Sequence, residues 1–350
     1  MNILLITAAK SWGGVKTWML SLTEYLSNRG HNAAIVCRAG DRLLVECAKR
    51  NIKCYSVRFG MDFSIRTIWN FCRLFKAEAA DIIITNISKE LRTAGVAAKL
   101  QGLIHINRLG AYTDLRKNTK NRLLYNLLVN SVFVPSRSMF DFFLQYDFLH
   151  TKLRMFHNAV MVPPFYLTSN LIVKFAIVAK LSKRKQVHKV MKAFSRIQDL
   201  PWELHIGGFG PELETLQELS RELSLKERIY FTAKKIDPSE FLKDKDIGIL
   251  YSSSESFGIA IIEYMAMSCA VIASNVDGIP EIIENKVDGI LVNPQSLNEL
   301  EQAIRLLIVD DQRREDLLRK GYLKVKTQFN RDIIFACIEE ELQQMIRHQG

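Results

Sequence analysis

The chain has 350 residues, 48% hydrophobic and 24% charged, with a net charge of +11. Such a chain is neither disordered nor fibrous and suits two folded domains, and no apolar run reaches the roughly 18 residues that a spanning helix needs. Residues 1–165 carry a net +13 and residues 166–350 a net −2, so the first half expects an anionic partner (a membrane surface, a phosphorylated acceptor or nucleic acid) unless the charge serves solubility alone.

"NILLIT" (2–7) is too short, and its flank too poor in basic residues, for a signal peptide; it reads as a buried strand. In "VKTWMLSLTEYLSNRG" (15–30), Trp18, Leu22, Tyr25 and Leu26 recur at helical spacing before a stop at Gly30. Strands "NAAIVCR", "CYSVRF", "DIIITN", "LIHINR", "SVFVPS" and "KLRMFHN" then alternate with helices. The helices end near Asn51, cover 64–78, run through "ELRTAGVAAKLQG" as one piece, and cover 115–128 and 138–146. The six cysteines are scattered without a CxxC pair, as expected of reduced thiols in a cytosolic enzyme.

The alternation lapses at "AVMVPPFYLTSN" (159–170), which reads as a linker. A second series follows, from "LIVKFAIVAKL" to "GILVNP", and then a charged helical tail from 296. The expected fold class is α/β, with two Rossmann-like domains whose parallel sheets face a cleft. Residues 1–162 form the first domain and 163–330 the second, with a helix over about 330–350 packing back on the first. Ligands in such sheets sit at the carboxyl ends of the strands.

The chemistry concentrates in "SSSESFGIAIIEYMAM" (252–267). Glu255 lies in the loop after a buried strand. "FGIAIIEYMAM" reads as a helix with Ser256 as its cap, Gly258 near its first turn, and amides there that favour a phosphate. Glu263 follows about 8 Å along the axis, among apolar neighbours that leave a carboxylate in need of a partner. Two carboxylates flanking a phosphate seat match the hydroxyls, diphosphate and ribose of a nucleotide-sugar.

On these residues the chain resembles the retaining glycosyltransferases of family 4, which have the GT-B fold. The resemblance covers most of the chain and is strongest over 172–295. The family's E-x7-E element appears as Glu255 and Glu263, and its basic pair as Lys180 and Lys185 in "AKLSKRKQV". "GGFGPELETL", "GIPEII" and "VDGILV" look like further signatures, and "WGGVKTWMLSLTEYLSNRGH" looks like the family's Gly-Gly loop and helix.

The resemblance implies that Lys180 and Lys185 neutralise the donor diphosphate, that Glu255 contacts the transferred sugar and that Glu263 binds the ribose. Ser256, Phe257, Gly258 and Ile259 would complete the donor site, and Gly13 and Gly14 would let backbone approach the phosphate or sugar. It further implies a UDP-, GDP- or ADP-linked donor, no cofactor and no metal. On the residues alone, a solvated basic turn explains Lys180 and Lys185 as well.

The chain departs from the family pattern in several places. Lys180 replaces an Arg, Gln186 a Gly, Ser268 a Gly and Ala270 a Pro, and Arg108 stands near the position of a His. Arg92 and Arg108 are the acceptor-side candidates, and His105 reads as structural. "DKD" (244–246) imitates a metal motif but precedes a strand, so it reads as a helix end. The basic segment 115–128 lies in no nucleic-acid module. It is expected to meet an anionic bilayer or phosphorylated acceptor through Leu115, Leu123, Leu124 and Leu127, or else to be simply solvated.

The expected activity is sugar transfer to a glycan or glycolipid acceptor in lipopolysaccharide or polysaccharide synthesis. The expected place is the cytoplasm, peripheral at the inner face of the plasma membrane. The alternatives are a catalytically silent subunit of the same fold and a nucleotide-sugar epimerase.

Overall fold

Short continuous apolar runs bury their side chains on both faces, which is what a parallel sheet covered by helices requires. The computed structural model describes every residue except Ser11, Ser169 and Gly350. In it the chain forms two units, one of Met1–Asn158 with the residues from Ile334 onward, the other of Ala159–Ile333.

The first unit runs β1 (Asn2–Ile6), α1 (Gly14–Asn28), β2 (Asn32–Arg38), α2 (Arg42–Lys49), β3 (Cys54–Val57), α3 (Ile65–Ala77), β4 (Ile82–Thr85), α4 (Ser88–Leu91), α5 (Ala94–Leu100), β5 (Ile104–Arg108), α6 (Thr119–Leu128), β6 (Ser131–Val134), α7 (Arg137–Leu144) and β7 (Leu153–Met155). Its seven strands lie in the order β3-β2-β1-β4-β5-β6-β7, all parallel.

The second unit runs β8 (Val173–Val178), α8 (Val187–Phe194), β9 (Trp202–Gly207), α9 (Leu213–Glu222), β10 (Ile229–Phe231), α10 (Pro238–Leu242), β11 (Ile247–Leu250), α11 (Ile259–Ala266), β12 (Ala270–Ser274), β13 (Ile290–Val292), α12 (Leu297–Val309) and α13 (Asp311–Gln328). Its six strands lie in the order β10-β9-β8-β11-β12-β13, all parallel. Phe175, Phe194 and Trp202 fill one side of this sheet, and Ile261, Ile262, Tyr264 and Met265 fill the other. Each such side chain contributes about 1.5–3 kcal/mol through burial.

The last helix, α14 (Arg331–Gln349), belongs to the first unit from Ile334 on. There Glu339 accepts bonds from Tyr25 and Arg29 at 3.2 Å and meets His31 at 2.9 Å. Phe335 packs edge-on against Tyr25, with ring centres 5.6 Å apart.

In each sheet the strand order reverses once, between β1 and β4 and between β8 and β11. At such a point successive connections leave toward opposite faces, and a crevice opens at the carboxyl ends of the two strands.

Two helices differ from expectation. The single helix expected through "ELRTAGVAAKLQG" is broken into α4 and α5. The hydroxyl of Thr93 bonds back to the Lys89 carbonyl at 2.9 Å, while Glu90 turns into the interior. The helix expected over 115–128 starts only at Thr119, with the Asn118 side chain accepting from the Asn121 amide. Leu115 and Leu124 are in the core, so only Leu123 and Leu127 of the four expected contact residues are exposed.

The "DKD" segment is structural. Asp246 is buried and accepts from Asn170 at 2.9 Å and from the Lys174 amide at 2.8 Å, while Asp244 pairs with Lys174 at 3.1 Å. No helix among the described residues is long and apolar enough to cross a membrane.

Candidate functional site

The two central strands of the second unit, β8 and β11, deliver its candidate residues. The loop after β8 carries Lys180. It rests backbone to backbone on the "GGFG" turn, with the Ala179 amide on the Gly207 carbonyl at 3.1 Å and the Leu181 amide on the Phe209 carbonyl at 3.0 Å. A Cβ on Gly210 would stand 2.1 Å from the Leu181 oxygen, so glycine is what permits this approach. Lys180 is exposed, and no described residue bonds or pairs with its ammonium.

A 3-10 turn, Lys183–Lys185, follows and faces the loop after β11. One oxygen of Glu255, Oε2, accepts from Lys185 Nζ at 2.6 Å, Arg184 Nη1 at 3.0 Å and Ser252 Oγ at 3.2 Å. Burial pushes this carboxyl up. The charges of Lys185 and Arg184, with the bonds from Lys185 and Ser252, outweigh that and hold it below the ordinary carboxylate range. The loop is clamped from the other side by Asp277, which accepts from the Glu255 amide at 2.8 Å and from Ser254 Oγ at 2.7 Å.

Ser256 is not the cap of the following helix. That position is Gly258, with φ +101°, so the cap residue of α11 offers its first amides no side-chain bond. Phe257 is buried beneath the loop, and Ile259 begins the helix.

Glu263 lies one turn along α11, half-buried, and its carboxylate has no hydrogen-bond partner among the described residues. Burial pushes it up to about 7; the charge of Asp237 adds to the rise and Lys185 opposes it. Its neighbour Tyr264 fixes the helix to the sheet. The Val178 amide donates to the Tyr264 hydroxyl at 2.7 Å, and the ring occupies the notch left by Gly248, where a Cβ would stand 2.1 Å away. The unit thus presents a free ammonium at Lys180, a cation-carboxylate cluster at Glu255 and an unpartnered carboxylate at Glu263.

The departures from the family pattern fall at defined backbone positions. Gln186 has φ 45° and Ser268 has φ 56°, both left-handed. Each of these two side chains pays a steric cost that glycine avoids, and the Gln186 Oε1 is also buried without a partner. Restoring glycine with Gln186→Gly and Ser268→Gly is expected to stabilise the protein by about 0.5–1 kcal/mol per site. A rise in the urea midpoint without a change of slope checks this. Ala270 donates its amide to the Asp246 carbonyl at 2.9 Å, a bond that proline lacks.

In the first unit the corresponding loops follow β1 and β4. Gly13 caps α1 with extended backbone (φ −169°), and a Cβ there would meet nothing within 4 Å. Gly13 and Gly14 are both exposed. Lys16, two residues on, is buried and bonds both oxygens of Asp41 at 2.9 and 2.7 Å. The fully buried Glu90 joins the two loops. It accepts from the amides of Ala8 after β1, and of Asn86 at 2.5 Å and Ile87 at 2.9 Å after β4.

The acceptor-side candidates are less exposed than expected. Arg92 pairs with Asp62. Arg108 is only 6% exposed; it donates to Asn158 at 2.7 Å and stacks over Trp18 at 4.5 Å, and burial lowers it to about 10. His105 is buried, engaged by Thr85 at 2.7 Å and the Leu128 carbonyl at 2.5 Å, and burial lowers it to about 4, in keeping with a structural role. Arg184, Asp277, Asp237 and Glu90 were not among the expected site residues. Asp277, adjoining "GIPEII", and Arg184, inside "AKLSKRKQV", had a signal beside them.

Residues 172–324 match the family profile described as Glycosyl transferases group 1, and residues 12–162 the profile described as Glycosyltransferase Family 4. Over 164 residues the chain is 30% identical to the N-acetyl-alpha-D-glucosaminyl L-malate synthase of Bacillus anthracis, covering 46% of this chain and 43% of that protein. Over 157 residues it is 25% identical to the lipopolysaccharide core biosynthesis glycosyltransferase LpsE of Rhizobium meliloti strain 1021, covering 45% of this chain and 46% of that protein. The chain therefore spans less than half the length of these curated relatives. The crystal structure of HepE from Anabaena in complex with UDP-glucose has the same fold, with a TM-score of 0.85 at 18% identity over 98% of this chain and 99% of that one.

Proposed function

Since the chain belongs to the family 4, group 1 glycosyltransferases, we propose that it moves a sugar, with retention and without a metal, from a UDP-, GDP- or ADP-linked donor to a glycan or glycolipid of the cell envelope. The observation that carries this reading is the unpartnered carboxylate of Glu263 on α11, beside a helix start without a side-chain cap and a cation cluster at the β8–β11 switch point. A nucleotide-sugar supplies what each feature lacks: a ribose diol to donate to Glu263 and a diphosphate for Lys180, Lys185 and the helix-start amides. As the anomeric bond breaks, negative charge grows on the departing diphosphate, where fixed cations lower the barrier most. Lys185 is then shared between that charge and Glu255, leaving Glu255 able to accept from sugar hydroxyls. Similarity to a lipopolysaccharide core biosynthesis glycosyltransferase supports an acceptor of the cell envelope. The basic first half supports work at an anionic surface, which we take to be the inner face of the plasma membrane; its basic segment 115–128 lies in no nucleic-acid module, so no nucleic-acid partner is proposed.

The alternative of a silent subunit loses part of its motive, because Gln186 and Ser268 hold the left-handed backbone that glycine would. Thermal-shift measurement with UDP, GDP, ADP and CMP, with and without EDTA, is the first test. Saturating ligand at 100 times its dissociation constant stabilises by about 2.7 kcal/mol. No shift with any nucleotide overturns the donor site, turnover of donor without acceptor to a new isomer identifies an epimerase, and loss of the shift with EDTA overturns metal independence.

The Glu263 carboxyl also sets a pH dependence. Held near 7, it passes from about one-tenth to about nine-tenths ionised between pH 6 and 8, and the ionised form is the stronger acceptor for the ribose hydroxyls. Affinity for the nucleotide-sugar, whose diphosphate has no proton to lose in that range, is expected to rise about tenfold from pH 6 to pH 8. Glu263→Gln is expected to flatten the profile, which calorimetric titration reads directly.

A further inference from the structure

Resting on the glycolipid-acceptor reading above, we propose that the face of the first unit formed by α3, α5 and α6 is a docking surface for an anionic lipid bilayer, with Met61, Ile65 and Trp69 as the side chains that enter it. These three are 83%, 84% and 57% exposed and stand at the start of α3 and in the turn before it. They line no groove; they project. Residues 58–76 hold four basic side chains, Arg58, Arg66, Arg73 and Lys76, against the single acid Asp62, which Arg92 neutralises. The Arg73 guanidinium lies 4.7 Å over the Trp69 ring, so a cation sits at the rim of the apolar tip. Beside it a recess of about 490 Å³ has a mixed lining, with Arg58, Arg66 and Asn70 as polar groups that can meet a headgroup and Tyr55, Val57 and Phe59 as apolar ones.

The same face continues across the unit. Helix α3 packs on α5 and α5 on α6, and Gln101 ties the end of α5 to the Cys72 carbonyl of α3 at 2.7 Å. On α5 and α6, Leu100, Leu123 and Leu127 are 71%, 59% and 53% exposed. Exposed Lys99, Lys117 and Lys120 accompany them, with Arg122, which pairs with Asp147 at 2.8 Å. Apolar side chains projecting from several neighbouring helices, each within a field of cations, fit an extended negatively charged interface with an apolar interior. The same face of a second copy would bring the same positive charge, and a nucleic acid has no use for Met61 and Ile65.

Co-sedimentation of the full chain with vesicles tests this, comparing pure phosphatidylcholine with phosphatidylcholine containing phosphatidylglycerol. Binding is expected only to the anionic vesicles, weakening with salt. The pairs Ile65→Ser/Trp69→Ser and Arg66→Glu/Arg73→Glu are each expected to lower partition about tenfold, while Val309→Ser, an exposed apolar change in the other unit, leaves it unchanged. Equal binding by all variants, or no binding to anionic vesicles, overturns the proposal. So does concentration-dependent self-association that the first pair abolishes. The readout involves no nucleotide. Vesicle binding with no nucleotide shift keeps this surface and removes the donor site, and the reverse result removes the surface alone.

Discussion

Replacing Lys185 with alanine is expected to lower transfer from the donor about 10²–10³-fold, the usual cost of removing one preorganised group from the charge that grows in a transition state. Lys185 is the cation that both site carboxylates feel. It lies 2.6 Å from Glu255, and its charge pulls down the carboxyl of Glu263 as well. Its loss leaves Glu255 with Arg184, an exposed side chain 3.0 Å away. Glu255 therefore climbs toward its ordinary range, and on the proposed reading the donor diphosphate loses one of its compensating charges. Lys185→Arg keeps the charge and is expected to retain part of the activity. Steady-state turnover measures the loss, and the thermal shift with nucleotide separates binding from chemistry. A Lys185→Ala protein that binds and turns over donor as the parent does removes Lys185 from the phosphate role.

The second large effect is on stability. Glu90→Ala is expected to cost about 3–5 kcal/mol, because three backbone amides, those of Ala8, Asn86 and Ile87, lose their acceptor in the interior. Glu90→Gln, which turns a donor toward those amides, is expected to cost about 2 kcal/mol. The urea midpoint of each variant checks the order, and a change below about 0.5 kcal/mol for Glu90→Ala, the size of an ordinary surface substitution, contradicts it. The pH dependence has a defined sign. Burial raises Glu90 to about 7, against the opposing pull of its amide bonds. The unfolded chain releases that proton near pH 4, so between about pH 4 and pH 7 the folded state binds more protons than the unfolded one. The contribution of this residue to stability is complete below that window and declines as pH rises through it. The Glu90→Gln protein lacks that part of the decline.

Much of this architecture is legible in the sequence because its cause is local. Runs such as "NILLI" and "VKFAIV" are apolar on both faces and short, which only a covered parallel strand accommodates. Glu263 stands out because a carboxylate among Ile261, Ile262 and Met265 needs a reason. The replaced glycines at 186 and 268 mark positions whose left-handed backbone the structure displays. What the sequence hides is tertiary. Glu90 looks like one more acid on a helix until Ala8, eighty-two residues earlier, donates to it. Leu123 and Leu124 are adjacent and equally apolar, yet one is exposed and one buried, because helix rotation is set by what α5 offers. Arg184 read as part of a solvated basic turn, and only the loop after β11 gives it a carboxylate.

The anchoring of α14 has a consequence for how the protein is made. Most of the first unit is synthesised before any of the second, yet Tyr25, Arg29 and His31 wait for Glu339, more than three hundred residues later. The second unit is complete in sequence before that partner exists. Domains that fold as they emerge do so in chain order; here the unit that emerges before the second closes after it, its α1 surface unfilled while the whole of the second unit is translated. A nascent chain stalled before residue 334 would therefore carry a finished second unit and an unfinished first one, and it is the first half, not the truncated end, that a protease or chaperone would find.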